Sequence, residues 1–586
     1  MVEPLQLVLL GLIGYTLGAI ALERSGLVPS SISLSGPIAT LHTKRGRALL
    51  ERLAAPRRFW RAWGNFGVGA ALIVLVGSFV LVALAAVAAI QNPTPTALNQ
   101  PRNVLAIPGV NDFLPLSAAA EILFGLLVGL VVHEGGHGLM CRVEDIDIES
   151  MGLVFLSVLP VGAFVAPEEE SRRNASRGGQ SRMFAAGVMN NFAVAVVAFA
   201  LLFGPVMGSI AVVSGAPIGG ALPGSPAAQA GVERGDVITG VDGTTVGDAE
   251  ELESLLAGSA ASEVDVTLGS GETVQIERAV TVTGAAAGAP LGVNETIRAV
   301  DGQPISTEAE LRAAVDGLEV ATMRVGTEQV RTPIGTLTSP LEGGALARAG
   351  APVEGRVVLT SIGDQRTLDS DALSTVLDAS APGERVEVVA YVGQPGEETR
   401  RTYEVRMGDS DGEAFLGVGV RRGVTGMSLD DFGADLYPAA TILGLLGGDG
   451  GGGVDSAIER VLVVVQLPFL SAIPGGAGYS FAGFNGAVAN FFTATGPLSI
   501  LGTGAVLLLG NLLFWTGWIN LIIGQFNCVP AYPLDGGHLL RTTTEAMVAR
   551  LPVPGRRALT TAVTTSITLV MLGGLFVMIF GPQLLG

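Results

Sequence analysis

Charge, cysteine, histidine and lysine are all scarce in this chain of 586 residues. Only 15% of the residues are charged against 49% hydrophobic, a balance that excludes an ordinary soluble globule and a disordered chain. The two cysteines, Cys141 and Cys528, each lie beside an apolar run and exclude a disulfide framework. Lys44 is the only lysine, and 53 acidic residues against 34 basic ones leave a net charge of -19, so nucleic acid is not an expected partner. What remains is a multi-span membrane protein.

The acidity is local. Between Ser214 and Asp430 the chain carries 33 Asp and Glu, 15 Arg and no Lys, which accounts for 18 of the 19 excess negative charges. One inserted segment is therefore soluble and acidic. A surface rich in carboxylates and nearly free of lysine suits concentrated salt, where repulsion is screened, so a halophilic source is expected.

A helix that crosses a bilayer needs about 20 apolar residues. Leu5 to Leu22, Phe66 to Ile90, Ile122 to Met140, Met183 to Val213, part of the uncharged stretch Val461 to Leu534 and Ala558 to Gly586 meet that need, and six to eight crossings are expected. The first of these lacks a preceding basic region and a small-residue cleavage site, so it reads as an anchor and not as a cleavable signal. Lys44, Arg45, Arg47, Arg52, Arg57, Arg58 and Arg61 place the loop after it in the cytoplasm by the positive-inside rule. Alternation then puts the acidic segment outside and directs His137, Asn191 and Asp535 toward the cytoplasmic side.

Within the acidic segment, Gly224 to Gly231 followed by Gly235-Asp-Val-Ile-Thr-Gly-Val-Asp-Gly243 and a helical pattern at Ala249 to Leu256 resembles the core of a PDZ domain. Shorter echoes occur at Ile297 to Gly302 and Gly343 to Gly363; the second of the three copies reads as a fragment or an inserted half. A PDZ-like groove accepts an extended peptide as an added strand. Gly447 to Gly453 reads as a flexible joint before the membrane resumes.

The chemistry centres on His133-Glu134-Gly135-Gly136-His137. In a helix, positions i and i+4 share a face, so both imidazoles can hold one Zn²⁺ with Glu134 beside the metal-bound water. Ionisable groups inside a membrane are costly and usually functional. A catalytic zinc takes three protein ligands and keeps its fourth position for water. Cys528 and His538 are candidates for the third ligand. Asp535 is the better one, because it ends the 74-residue uncharged run Val461 to Leu534 at the same membrane face.

With these residues the chain resembles the site-2 protease family of intramembrane zinc metalloproteases. That family joins H-E-x-x-H on one span to an N-x-x-P-x-x-P-L-D-G type motif on a later one, matched here by Asn527, Pro530, Pro533, Leu534, Asp535 and Gly536. Gly187 to Asn191 is similar to its G-P-x-x-N helix start, with Val188 in place of the proline. The resemblance implies His133, His137 and Asp535 as ligands of one zinc per chain and Glu134 as general base. Asn527 and Asn191 would position the substrate backbone or oxyanion. Met151 to Ala166 would be a re-entrant β-like loop that holds a substrate strand.

The expected architecture is a polytopic α-helical membrane protein with an inserted extracytoplasmic β-rich PDZ-like region. Residues 1–118 form the first helices and basic loop, 119–213 the first half of the core, 214–430 the PDZ-like tandem and 431–586 the second half. The expected activity is zinc-dependent cleavage of single-span membrane proteins in the cell membrane, with the PDZ-like region screening peptide ends. A catalytically idle scaffold is the alternative, and the intact Glu134 argues against it. A metal transporter would need a ladder of ligands that four histidines do not supply.

Overall fold

The computed structural model describes the chain except residues 1–3, 27, 30, 94, 104–106, 112, 158, 354, 411, 449–455, 473–478 and 586. Two compact units result: Met1–Ala211, Ala440–Asn485 and Ala494–Gly586 form one, and Val212–Ala439 with Gly486–Thr493 the other. Most of the glycine joint expected at 447–453 lies outside the described residues.

In the first unit, five helices among the described residues are long and apolar enough to span a membrane: Arg57–Gln91, Leu116–Val143, Arg177–Ser209, Thr503–Asn527 and Arg556–Leu585. Their apolar side chains commonly face outward, Ile73 at 75% and Leu84 at 62% exposure, as lipid-facing residues should. The first helix, Pro4–Arg24, has 21 residues. The long uncharged stretch contributes one spanning helix, Thr503–Asn527. Before it the chain runs in short pieces, a ten-residue helix Ala457–Gln466 and 3₁₀ turns at Leu467–Ala472 and Gly496–Leu501, with a further turn, Gly486–Phe491, that belongs to the second unit. Pro468, Pro497 and several glycines interrupt helical continuity there.

Three of the long helices pack closely because small residues face their neighbours. A Cβ at Gly125 would stand 2.8 Å from the carbonyl oxygen of Trp515, and one at Gly136 2.8 Å from that of Ala186. Backbones approach closely only over such positions, which is how helices associate without a hydrophobic drive in lipid.

Beside these helices lies a four-stranded antiparallel sheet of Ile32–Ser35, Ile38–His42, Ile148–Leu156 and Leu159–Pro167, in that order. The segment expected to be β-like, Met151 to Ala166, is thus the outer hairpin of this sheet. Leu159–Pro167 pairs on one side only, leaving its other edge free within the sheet.

The second unit holds three β-rich lobes, each with its own core. The first is centred on Ile218, Leu252 and Val266, the second on Val282, Leu311 and Met323, the third on Leu359, Leu373 and Val388. The middle repeat is therefore a complete lobe and not a fragment; its strands Ile297–Val300, Val320–Val325 and Glu328–Pro333 form a sheet over the helix Glu308–Val315.

The lobes are nested. The chain lays down the opening strands Ala216–Ala221, Thr281–Ala285 and Thr336–Pro340 in sequence. It then closes them in reverse: Val418–Val420 pairs with the third, Met427–Asp430 with the second and Ala434–Leu436 with the first. Each lobe helix starts at an equivalent place, with Asp248, Thr307 and Asp369 as side-chain caps. Asp242-Gly243 and Asp301-Gly302, all at positive φ, make the tight turns six positions earlier in the first two lobes.

Candidate metal centre

His133 and His137 project from one face of the helix Ala119–Val143, one turn apart. Asp535 is the first residue of the helix Asp535–Val548, where a carboxylate meets the positive end of the helix dipole. Gly536 and Gly537 let that helix start hard against the preceding turn: a Cβ at Gly536 would lie 2.4 Å from the carbonyl oxygen of Val529.

The three side chains converge. His133 Nε2 lies 3.0 Å and His137 Nε2 3.2 Å from Asp535 Oδ2, and the two Nε2 atoms are 3.2 Å apart. Both rings are oriented from behind. His137 Nδ1 donates to the carbonyl oxygen of Met183 at 2.8 Å, an atom that can only accept, so the proton sits on Nδ1. His133 Nδ1 lies 2.7 Å from Asn191 Oδ1. The Asn191 amide is itself fixed, because its Nδ2 donates to the carbonyl of Gly129 at 2.9 Å and to Asn520 Oδ1 at 2.8 Å. Asn520 Nδ2 in turn donates to the carbonyl of Thr516. Asn191 and Asn520 are fully buried.

In the neutral rings, with both Nδ1 atoms protonated, both Nε2 atoms present lone pairs to the same point as Asp535 Oδ2, a buried oxygen. A proton on Asp535 could bridge only one of the two contacts. A cation satisfies all three. Ligand atoms about 2.0 Å from a tetrahedral zinc are about 3.3 Å from one another, so the observed separations fit such an ion. The second-sphere pattern, an imidazole N–H held by a carbonyl or amide oxygen, is the one that tunes and orients zinc-binding histidines.

Glu134 lies on the same helix with Oε2 accepting the backbone N–H of Val165, 2.9 Å away, in the outermost strand of the hairpin. Gly187 faces the two rings so closely that a Cβ there would be 2.7 Å from His137 Nε2. The other residues singled out from the sequence lie elsewhere. Asn527 Nδ2 donates to the carbonyl of Ile523 in its own helix. Cys528 is buried in the turn behind Gly536. His538 stacks on Phe184, with centroids 4.5 Å apart. Asn520, Val165 and the Met183 carbonyl escaped the sequence reading. Asn520 alone had a signal, a polar residue inside an uncharged span.

Two imidazoles from one spanning helix, a carboxylate from the start of the short helix Asp535–Val548 and a glutamate adjoining the first histidine form a candidate metal centre of the kind metallopeptidases use. The sequence description of peptidase family M50 matches residues 121–573, which contain every one of these residues. The chain belongs to that family, the site-2 protease family of metallopeptidases. It is also 25% identical over 170 residues to the uncharacterized protein MJ0971 of Methanocaldococcus jannaschii. That match spans 28% of this chain and 43% of the archaeal protein.

Proposed function

We propose that this protein is an intramembrane zinc endopeptidase that cleaves single-span membrane proteins within or beside their transmembrane segments. The convergence of His133, His137 and Asp535, with Glu134 one residue from the first ligand, carries the reading.

His133, His137 and Asp535 would hold the ion, which when bound supplies a water of lowered pKa and polarises a carbonyl. Glu134 takes a proton from the attacking water and returns it to the departing amine. Its second role as acceptor for Val165 keeps the carboxylate beside the hairpin. Asn191 and Asn520 act as positioning residues, holding His133 in the tautomer that leaves Nε2 free. Apart from the Val165 N–H that Glu134 accepts, the outer edge of Leu159–Pro167 has no strand partner and offers backbone groups to an extended substrate, which orders an unwound segment next to Glu134. A helical substrate hides its peptide bonds, so segments weakened by Gly, Asn or Pro are preferred.

Pro4–Arg24 is a sixth span, the arginine-rich loop lies in the cytoplasm, and the nested lobes stand on the opposite side. There they resemble PDZ domains and screen substrates by size or by a trimmed end.

The test uses the purified protein in lipid nanodiscs. About one zinc per chain is expected, together with cleavage of a model single-span substrate by wild type and none by Glu134→Gln, which keeps its zinc. Zinc retained without cleavage of any unwound single-span substrate would defeat the enzymatic reading. Screening by the lobes predicts that a substrate with a short outer portion is cleaved faster than the same substrate carrying a folded domain.

A further inference from the structure

A cavity of the membrane unit, about 750 Å³, lies beside the aspartate-bearing helix. Arginines reach it from three separate stretches of chain: Arg172, Arg173 and Arg177, then Arg541, then Arg556 and Arg557. Two carboxylates answer them, leaving four positive charges in excess. Glu169 is already engaged by Arg172 and Arg173, at 2.5 and 2.7 Å. Glu545 is engaged by Arg541 at 3.1 Å and more distantly by Arg177 at 4.0 Å. Arg557 has no partner among the described residues, and Arg556 donates only to the carbonyl of Leu551.

Arginines near membrane helices commonly serve as orientation signals, and a signal needs only to be present in the loop. Here they surround one concavity, and the acids that face it are used up. Arg177 and Arg556 are the first residues of two spanning helices, so the cavity stands where those helices leave the apolar layer. That is the depth of lipid headgroups. Guanidinium groups pair with phosphate oxygens through two parallel donors, which makes arginine the side chain suited to such a group.

The inner wall connects to the metal centre. Phe184 and His538 line the cavity and stack on each other. Phe184 follows Met183, whose carbonyl orients His137, and His538 lies one turn beyond Asp535.

We propose that this cavity binds a phosphate-bearing anion, supplied in the membrane by the headgroup of an anionic phospholipid. The inference stands apart from the peptidase reading, since it concerns a different cavity and a different ligand.

The experiment measures binding of a headgroup-accessible fluorescent phosphatidylglycerol to the full-length protein in phosphatidylcholine nanodiscs at low ionic strength. A charge-assisted hydrogen bond from an arginine to a bound phosphate, lost from a site, costs about tenfold in affinity. Arg177→Gln/Arg557→Gln should therefore weaken binding at least tenfold, with Arg173→Gln/Arg556→Gln as a second pair if the first lowers the unfolding temperature. Arg45→Gln/Arg58→Gln removes the same charge from exposed positions outside the cavity and should change binding less than twofold. Equal loss in cavity and control variants, or no loss in either, would overturn the site. Inorganic phosphate that binds with the same arginine dependence, where phosphatidylglycerol does not, would overturn the lipid assignment.

Discussion

Glu134 Oε2 accepts the backbone N–H of Val165 at 2.9 Å, so the residue proposed to move protons is held by the strand proposed to hold substrate. A hydrogen bond to a charged acceptor is worth about 1.5–3 kcal/mol, and its loss frees the carboxylate to turn away. Val165→Pro removes this donor, and the outermost strand tolerates proline there because the N–H points off the sheet; Val165→Ala keeps the N–H and controls for the lost side-chain packing. The expected result is a fall of roughly tenfold or more in kcat with the zinc content unchanged. A variant as fast as wild type would show that the contact does not position Glu134 during turnover.

Gly187 is a steric requirement of the metal centre. Its missing side chain leaves room for both rings, and a Cβ would meet His137 Nε2 at 2.7 Å and His133 Cε1 at 2.9 Å. Ring atoms held by Met183 and Asn191 have little freedom to retreat. Gly187→Ala should lower zinc affinity at least tenfold, read by competition with a chelator, and lower activity in parallel. Ala at Gly178, an exposed position on the same helix, should change neither.

Two asparagines that read alike in the sequence separate in the structure. Asn191 orients His133, whereas Asn527 bonds to its own helix. Loss of a second-sphere partner typically costs 10–100-fold in metal affinity or activity. Asn191→Ala is expected in that range, and Asn520→Ala should follow it more weakly because it acts through Asn191. Asn527→Ala should stay within about threefold if its amide only bonds locally. A large loss of kcat at Asn527 with zinc retained would instead mark direct contact with substrate.

These contrasts show what the sequence could carry. The convergence of the two histidines with Asp535 was legible because metal chemistry needs particular side chains, and inside an apolar run each stands out. The spans at 57–91 and 556–585 were legible from hydropathy alone. Backbone contributions were not: Val165 and Met183 act through amide and carbonyl groups that any residue would supply. Nor was the nesting of the lobes. Strands of three or four residues such as Val418–Val420 and Ala434–Leu436 carry too little pattern to announce partners that lie about 80 and about 215 positions earlier. The uncharged stretch 461–501 misled for a related reason. Absence of charge permits a span, but helix continuity decides one, and proline and glycine break it here.

The nested lobes also predict a response to pH. At their junction Asp431 accepts the N–H of Glu308 at 2.6 Å and is paired with Arg278, which is itself buried and donates to the carbonyls of Leu256 and Ser259. Burial, then the neighbouring Asp431 and Asp430, push the Glu308 carboxyl up to about 7. Burial likewise pushes Asp430 up to about 6, against the amide donors of Ala434 and Phe432. A carboxyl raised on folding binds more protons in the folded state. Its stabilisation is fully present below the ordinary carboxylate range near pH 4 and is lost as the pH rises through about 6 to 7. The closing strand Met427–Asp430 should therefore show hydrogen-exchange protection factors roughly tenfold lower at pH 8 than at pH 5, which corresponds to about 1.4 kcal/mol. Glu308→Gln keeps the backbone bond to Asp431 and removes one titrating group, so it should flatten this dependence and raise protection at pH 8. If protection instead rises with pH in wild type, or the slope survives in Glu308→Gln/Asp430→Asn, these two carboxyls do not govern the junction.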